Sequence, residues 1–242
     1  MAGHSKWAKV KHFKGAIDAR RSRLFSKLGR EITVAARLGG GDPDLNPRLR
    51  MVLLKCRLAN MPRDNIERAI KKGTGGGDGA NFEELIYEIY APHRVALLAE
   101  ISTDNRNRTA SEIRALVTRC GGSMAAPGSV SRLFQRRGQI IVARENADEE
   151  SLMELALEAG ALDFRSDENG YEILTDPANF EAVHRVVEAQ GIRCEAAEMT
   201  WLPLVTVPLP DAAARAAVQR LVDTLEEHDD VKEVFTNAEF SE

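Results

Sequence analysis

The chain is short of most features that announce an enzyme or a membrane protein. It has only three cysteines, Cys56, Cys120 and Cys194, far apart and without a C-x-x-C pair. A sparse, odd set of this kind argues against a disulfide framework and for a reducing compartment. Cys56 falls inside a helical pattern and reads as a small buried side chain rather than a nucleophile. The five histidines, at positions 4, 12, 93, 184 and 228, show no metal-ligand spacing with one another or with cysteine. No G-x-S-x-G or Ser/His/Asp arrangement is present. The acids Glu149-Glu150, Asp167-Glu168 and the run Glu226-Glu227-His228-Asp229-Asp230 mostly flank expected helices and read as solvated surface, with no catalytic pair singled out. The sequence therefore selects no catalytic residue, no metal site and no cofactor, and it points to no small-molecule substrate. No apolar run approaches the roughly 18–20 residues of a membrane span. The basic N-terminus has no apolar stretch behind it, unlike a secretory signal. A mitochondrial leader would also be Arg-rich, but here the basic arm leads straight into an expected helix, which favours a mature N-terminus and a cytoplasmic protein.

What the chain does have is positive charge concentrated at one end. The formal net charge is −4, yet residues 1–77 hold 18 lysines and arginines against 6 acids, a net of +12, and residues 78–242 hold 15 against 31. A basic block ahead of an acidic body is a mark of nucleic-acid binding. The arm carries Lys6, Lys9, Lys11 and Lys14, interleaved with Trp7 and Phe13. In the helix expected from Ala16 to Leu38, Arg20, Arg23, Lys27, Arg30 and Arg37 recur at intervals of three, four, three and seven, opposite an apolar set of Ile17, Leu24, Leu28, Ile32 and Ala35. Such a stripe would be roughly 25 Å long and could follow several phosphates. A solvated basic face is the alternative. The neighbouring arm and the lack of acids on the same face favour contact with a polyanion.

Gly39-Gly40-Gly41-Asp42-Pro43 should end that helix, since glycine supplies a left-handed cap and proline forbids continuation. Asn46 then caps a second helix with Pro47 at its first position, its apolar set being Leu49, Val52, Leu53, Cys56 and Ala59. The helix also bears Arg48 and Arg50. A third runs to about Lys72 with Ile66, Ala69 and Ile70 inward and Gly73 as its stop. Gly73-Thr74-Gly75-Gly76-Gly77-Asp78-Gly79 lacks the G-x-x-x-x-G-K-[ST] order and follows a helix, so it reads as an interdomain linker; Lys71 and Lys72 beside it are further phosphate candidates.

Beyond the linker the pattern alternates. Strands are expected at 85–90 and 94–102, then a helix at 110–120 with Thr109 and Glu112 at capping-box spacing, then a strand at 130–135. The loop Asp104-Asn105-Arg106-Asn107-Arg108 before that helix suits an anion or a base edge through Asn105, Arg106, Asn107 and Arg108, and suits a capping and turn network equally well. Residues 139–199 follow the order β-α-β-β-α-β of a ferredoxin-like plait, with Asp176 capping its second helix and His184 packed or solvated. A strand at 204–209, a helix at 211–227 and a strand at 231–236 complete the chain. These last elements are too few to bury a sheet face, so they fit best by pairing back onto the earlier hairpin. Two consecutive domains are the alternative.

Several long motifs resemble one family. Met1-Ala2-Gly3-His4-Ser5-Lys6-Trp7, the Gly39–Pro43 turn with Asn46-Pro47-Arg48-Leu49-Arg50, Met61-Pro62-Arg63-Asp64-Asn65-Ile66-Glu67-Arg68-Ala69-Ile70-Lys71-Lys72-Gly73, the stretch Thr103–Thr109 and Gly128-Ser129-Val130 are similar to the YebC/PmpR family across essentially the whole chain. Ser123-Met124-Ala125-Ala126 departs from the shorter glycine-rich turn usual there, as does the acidic third domain. The resemblance implies an α+β fold: an N-terminal three-helix domain (1–77), a discontinuous mixed domain (78–135 plus 204–242) and a ferredoxin-like plait inserted into it (136–203). It also implies a cytoplasmic, non-enzymatic, DNA-binding transcriptional regulator without cofactor. Mitochondrial relatives are translational activators, and bacterial members have been tied to relieving ribosomes stalled on proline-rich stretches, so ribosomal RNA is the alternative partner. Neither the residues nor the resemblance fixes the oligomeric state.

Overall fold

The computed structural model describes residues 18–75 and 82–240. The described residues fall into two compact units, one built from 18–75 with 136–200 and the other from 82–135 with 201–240.

The first unit opens with three helices, α1 (Asp18–Gly39), α2 (Pro47–Leu58) and α3 (Arg63–Thr74). Their apolar positions recur at helical spacing and meet as expected. Leu28, Ile32, Ala35, Leu49, Val52, Cys56, Ala59, Met61 and Ala69 form one core, with Leu24, Leu53, Ile66 and Ile70 packed against it. Gly40 takes φ +87° just past α1 and supplies the left-handed cap. Asn46 joins the first two helices. Its side-chain oxygen accepts from Leu49 N (3.1 Å), while its amide donates to Ala35 O and Gly40 O (2.8 Å each). One buried side chain thus starts α2 and satisfies carbonyls at the end of α1.

Gly73 is not a helix stop, and the linker reading fails at this residue. Helix α3 continues to Thr74, and Gly73 is buried against α1, where an added Cβ would lie 2.6 Å from Thr33 O and 2.8 Å from the Ala36 side chain. The glycine is required because the two helix backbones approach too closely for any larger residue. The remaining linker residues 76–79 lie outside the described residues.

The rest of the first unit is a plait. Strands β4 (Phe134–Ala143), β5 (Asp163–Asp167), β6 (Gly170–Thr175) and β7 (Cys194–Pro203) form a sheet of order β5-β6-β4-β7, with α5 (Glu149–Glu158) and α6 (Phe180–Ala189) in the crossovers. This is the ferredoxin-like arrangement. Its core is Ile140, Val142, Leu152, Ala156, Tyr171, Ile173, Phe180, Val183 and Val187, and Met51 and Leu54 of α2 pack against it. Asp176 does not cap α6. The helix begins three residues beyond the expected start, and Asp176 accepts from Arg137 Nη1 at 2.7 Å instead.

In the second unit, β1 (Glu83–Tyr90), β2 (Ala96–Thr103), β3 (Ser123–Met124) and β9 (Val231–Thr236) make a sheet of order β3-β1-β2-β9. Strand β9 pairs antiparallel with β2, so the last elements do return to the first hairpin and the plait is inserted between them. Helices α4 (Arg106–Arg119) and α7 (Ala212–Glu226) cover one face through Ile113, Val117, Val218 and Leu221. The expected strand at 204–209 shrinks to β8 (Val207–Pro208), which pairs with β10 (Ala238–Glu239). Prolines at 203, 208 and 210 remove amide donors that a longer ladder would need. The segment after β3 is pinned by Glu88 of β1. Its carboxylate accepts from the backbone N–H groups of Gly128 (2.6 Å), Val130 (2.5 Å) and Ser131 (2.9 Å). Burial raises the Glu88 pKa, but these donors outweigh it and hold the carboxyl below its ordinary value.

Asn46→Ala removes a cap and leaves buried carbonyls without donors; the expected cost is about 2–3 kcal/mol, read as a lower urea midpoint at unchanged slope. Because the folded-state pKa of Glu88 is lowered, its stabilising contribution is complete above the unfolded-state pKa and is lost as pH falls through the folded-state value. Glu88→Gln should therefore lower the thermal midpoint at neutral pH and narrow the gap between neutral and acid midpoints, as followed by circular dichroism. An unchanged gap would remove Glu88 from the acid sensitivity.

Candidate nucleic-acid interface

Of the residues selected from sequence, Lys6, Trp7, Lys9, Lys11 and Lys14 and the side chain of Arg20 lie outside the described residues. On α1, Arg23, Lys27 and Arg30 lie half-exposed on the side away from the bundle core. The stripe does not continue unbroken to Arg37. Residues 32–36 are buried all round, and Val34, on the charged side, is only 7% exposed. The described part of the stripe therefore runs from Arg23 to Arg30, about 10 Å along the axis. The periodicity that placed Arg37 on the stripe carried no sign of this wrapping. Lys71 and Lys72 are exposed in the last turn of α3.

Arg48 and Arg50 separate. Arg48 is half-exposed near the start of α2. Arg50 is committed within the fold: its guanidinium donates to Pro43 O (2.6 Å) and Asp44 O (3.3 Å) and pairs with Glu181 of the plait. Lys55 pairs with Glu198 at 3.2 Å. These α2 cations thus help tie the helices to the plait.

In the polar loop before α4, the capping and turn network is what forms. Asn105 caps the helix by accepting from Arg108 N at 3.1 Å. The expected capping box at Thr109 and Glu112 is wrong, because Asn105 starts the helix earlier and Thr109 is fully buried inside it. Arg108 Nη2 reaches Asp104 Oδ1 (3.0 Å) and Asp230 Oδ2 (2.7 Å). Arg106 and Asn107 remain exposed.

Asp230 is the residue that sequence reasoning missed. It sits in an acidic run that reads as solvated surface, yet it is 4% exposed. Its carboxylate accepts from Arg108 and from the Thr109 hydroxyl at 2.7 Å, its carbonyl accepts from Ser102 N at 2.8 Å, and its N–H donates to His228 Nδ1 at 3.1 Å. With Nδ1 accepting, His228 carries its proton on Nε2, 3.0 Å from Glu112 Oε2. Glu112, His228 and Asp230 offer ligand atoms within 4.8 Å of one another. The arginine on Asp230 and the occupied Nδ1 make the trio a poor cation site, since both first-choice donors are already used. The only sequence signal for this network was the company of Thr103, Asn105, Arg108 and Thr109 in one loop.

The reactive-looking side chains are quiet. Burial pushes the Cys56 and Cys194 thiols up to about 12, so neither is a thiolate at neutral pH. His184 stacks on Phe180, with ring centroids 6.0 Å apart, and burial holds its pKa below the ordinary value, helped by Arg57 and opposed by Glu188 and Glu181. Among the described residues no helix is long and apolar enough to cross a membrane.

Residues 5–76 match the family description "TACO1/YebC protein N-terminal domain", and residues 82–238 match "TACO1/YebC second and third domain". A probable transcriptional regulatory protein of Treponema pallidum (strain Nichols) is 51% identical over 239 residues, covering 99% of this chain and 97% of its own. One of Leptospira biflexa is 46% identical over 242 residues, covering 100% and 98%. The crystal structure of a conserved hypothetical protein, Aq1575 from Aquifex aeolicus, superposes with a TM-score of 0.84 at 48% identity, covering 94% of this chain and 93% of that one. With both family descriptions matched and full-length relatives at this identity, the chain belongs to the TACO1/YebC family.

Proposed function

We propose that this chain is a non-enzymatic, nucleic-acid-binding regulator of gene expression, with DNA as its partner and transcription as the process it regulates. The observation that carries the reading is the charge division: +12 in residues 1–77 against 31 acids and 15 cations behind them. The printed names of its full-length relatives, probable transcriptional regulatory proteins, support the same reading. The chain would work as three domains, 1–77, 78–135 with 204–242, and 136–203. The first grips phosphates through the arm, the α1 cations, Arg48, and Lys71 and Lys72, while the acidic remainder limits indiscriminate binding. Arg50 takes part through fold integrity, because its guanidinium is already engaged.

A second reading, a ribosome-associated translation factor bound to ribosomal RNA, is favoured by one observation. Trp7 and Phe13 interleave with the arm lysines, a pattern that suits stacking on unpaired bases.

Replacing Lys6, Lys9, Lys11 and Lys14 together by alanine should weaken binding by a similar factor for all sequences and flatten the slope of log affinity against log salt by about 0.7–0.9 per lost contact. An unchanged slope would take the arm out of the interface. Sedimentation of lysate separates the two readings: the transcriptional one expects the protein outside ribosomal fractions at low salt together with discrete promoter footprints. Salt-sensitive co-sedimentation with ribosomes and no footprint would replace it with the translational one.

A further inference from the structure

The second unit is acidic. Across 77–135 and 201–242 it carries nine lysines and arginines against sixteen acids. Four of those nine, Arg106, Arg108, Arg114 and Arg119, lie on the single helix α4, whose one acid is Glu112. Arg108 and Glu112 are used internally, on Asp230 and His228. Arg106, Arg114 and Arg119 are exposed and make no ion pair among the described residues. The contrast with the first unit is plain, where Arg137, Arg144 and Arg165 each meet a carboxylate within 3.0 Å. Three uncompensated arginines on one helix of an acidic unit are not the mixed-sign surface that solubility alone favours.

The groups around them also suit one kind of ligand. Asn107, Ser111, Arg114 and Thr118 recur at four, three and four along α4 and form one exposed stripe. With Arg119 beside them and only Ala110 and Ala115 between, they line a shallow concavity of about 620 Å³ that contains no acid. Burial raises the pKa of the Tyr87 phenol on β1, and the charges of Arg106 and Arg114 oppose that rise. The Tyr87 hydroxyl there is buried and has no hydrogen-bond partner. The Asn105-capped end of α4 adds partial positive charge at the same end as Arg106. The face holds no aromatic or large aliphatic anchor of the sort on which protein partners depend. Guanidinium, amide and hydroxyl donors on a low surface match phosphate and sugar oxygens.

We propose that the exposed surface of α4 is a second nucleic-acid contact, in which Arg114 and Arg119 bind backbone phosphates beside Asn107, Ser111 and Thr118, and Arg106 adds a cation at the helix N-terminus. This rests on the nucleic-acid reading above and extends it to the acidic unit.

The test is fluorescence anisotropy of the full chain with a labelled single-stranded RNA and a labelled DNA duplex across a salt series. The triple variant R106A/R114A/R119A should bind about tenfold or more weakly at low salt, with a salt slope flattened by about 2. R106K/R114K/R119K, which keeps the charge, should retain most of the affinity and slope, and R106E/R114E/R119E should lose more than the alanine variant. Thermal midpoints of all three report whether the fold is intact. Wild-type affinity and slope in the alanine variant, while the arm variant still weakens binding, would overturn the α4 contact and leave the proposed function standing. That outcome would point the face toward an acidic protein instead. A lysine variant as weak as the alanine one would also overturn it, by removing charge as the cause. A wild-type chain that binds neither probe would sink both readings.

Discussion

A buried carboxylate needs donors on its oxygens, and Asp230 finds them on elements that are distant in sequence. Its carboxylate accepts from Arg108 and Thr109 in the first turn of α4, while its carbonyl accepts from Ser102 of β2 and its N–H donates to His228 in the turn that leads into β9. Removing any one donor would leave charge or dipole stranded in a low-dielectric setting. Asp230 therefore ties three things together: its carboxylate holds the first turn of α4, its carbonyl holds the end of β2, and its N–H sets the tautomer of His228. The pairing of β9 with β2, on which the inserted architecture depends, is anchored at its first residues by this interaction. Glu88 plays a smaller version of the same part at the other edge of the sheet, collecting three backbone donors to hold the segment after β3.

The bundle core was readable because its apolar residues repeat with a single period. Leu28, Ile32, Leu49, Val52, Cys56 and Ala69 meet as the helical spacing requires. The order of elements in the plait was readable for a similar reason, as was the return of the last strand to the first hairpin. Local chemistry misled where two signals competed. Gly73 reads as a helix stop, but it serves close approach to Thr33 and Ala36. Thr109 with Glu112 imitates a capping box, but Asn105 provides the better cap because its side chain reaches Arg108 N. Asp176 precedes a helix but is drawn away by Arg137.

The candidate interface was legible as charge and illegible as occupancy. Composition shows where cations collect. It cannot show that Arg50 finds Glu181 across 131 positions or that Arg108 finds Asp230 across 122. Those pairings exist only after folding, and they divide the basic residues into those that hold the structure and those that face outward. The same division brings α4 into view, since its three remaining arginines stand out once Arg108 is accounted for.

The insertion of the plait has a consequence for synthesis on the ribosome. Strand β2 is almost entirely buried, and one of its neighbours is made more than a hundred residues later. The helices and the whole plait emerge before that neighbour exists. At about 5–20 residues per second, β1 and β2 wait several seconds with an apolar edge uncovered. The first unit can complete its cores in that interval, and the second cannot. The growing chain thus carries a finished first unit while its second is still half-built, so the order of emergence favours early folding of one and demands protection of the other.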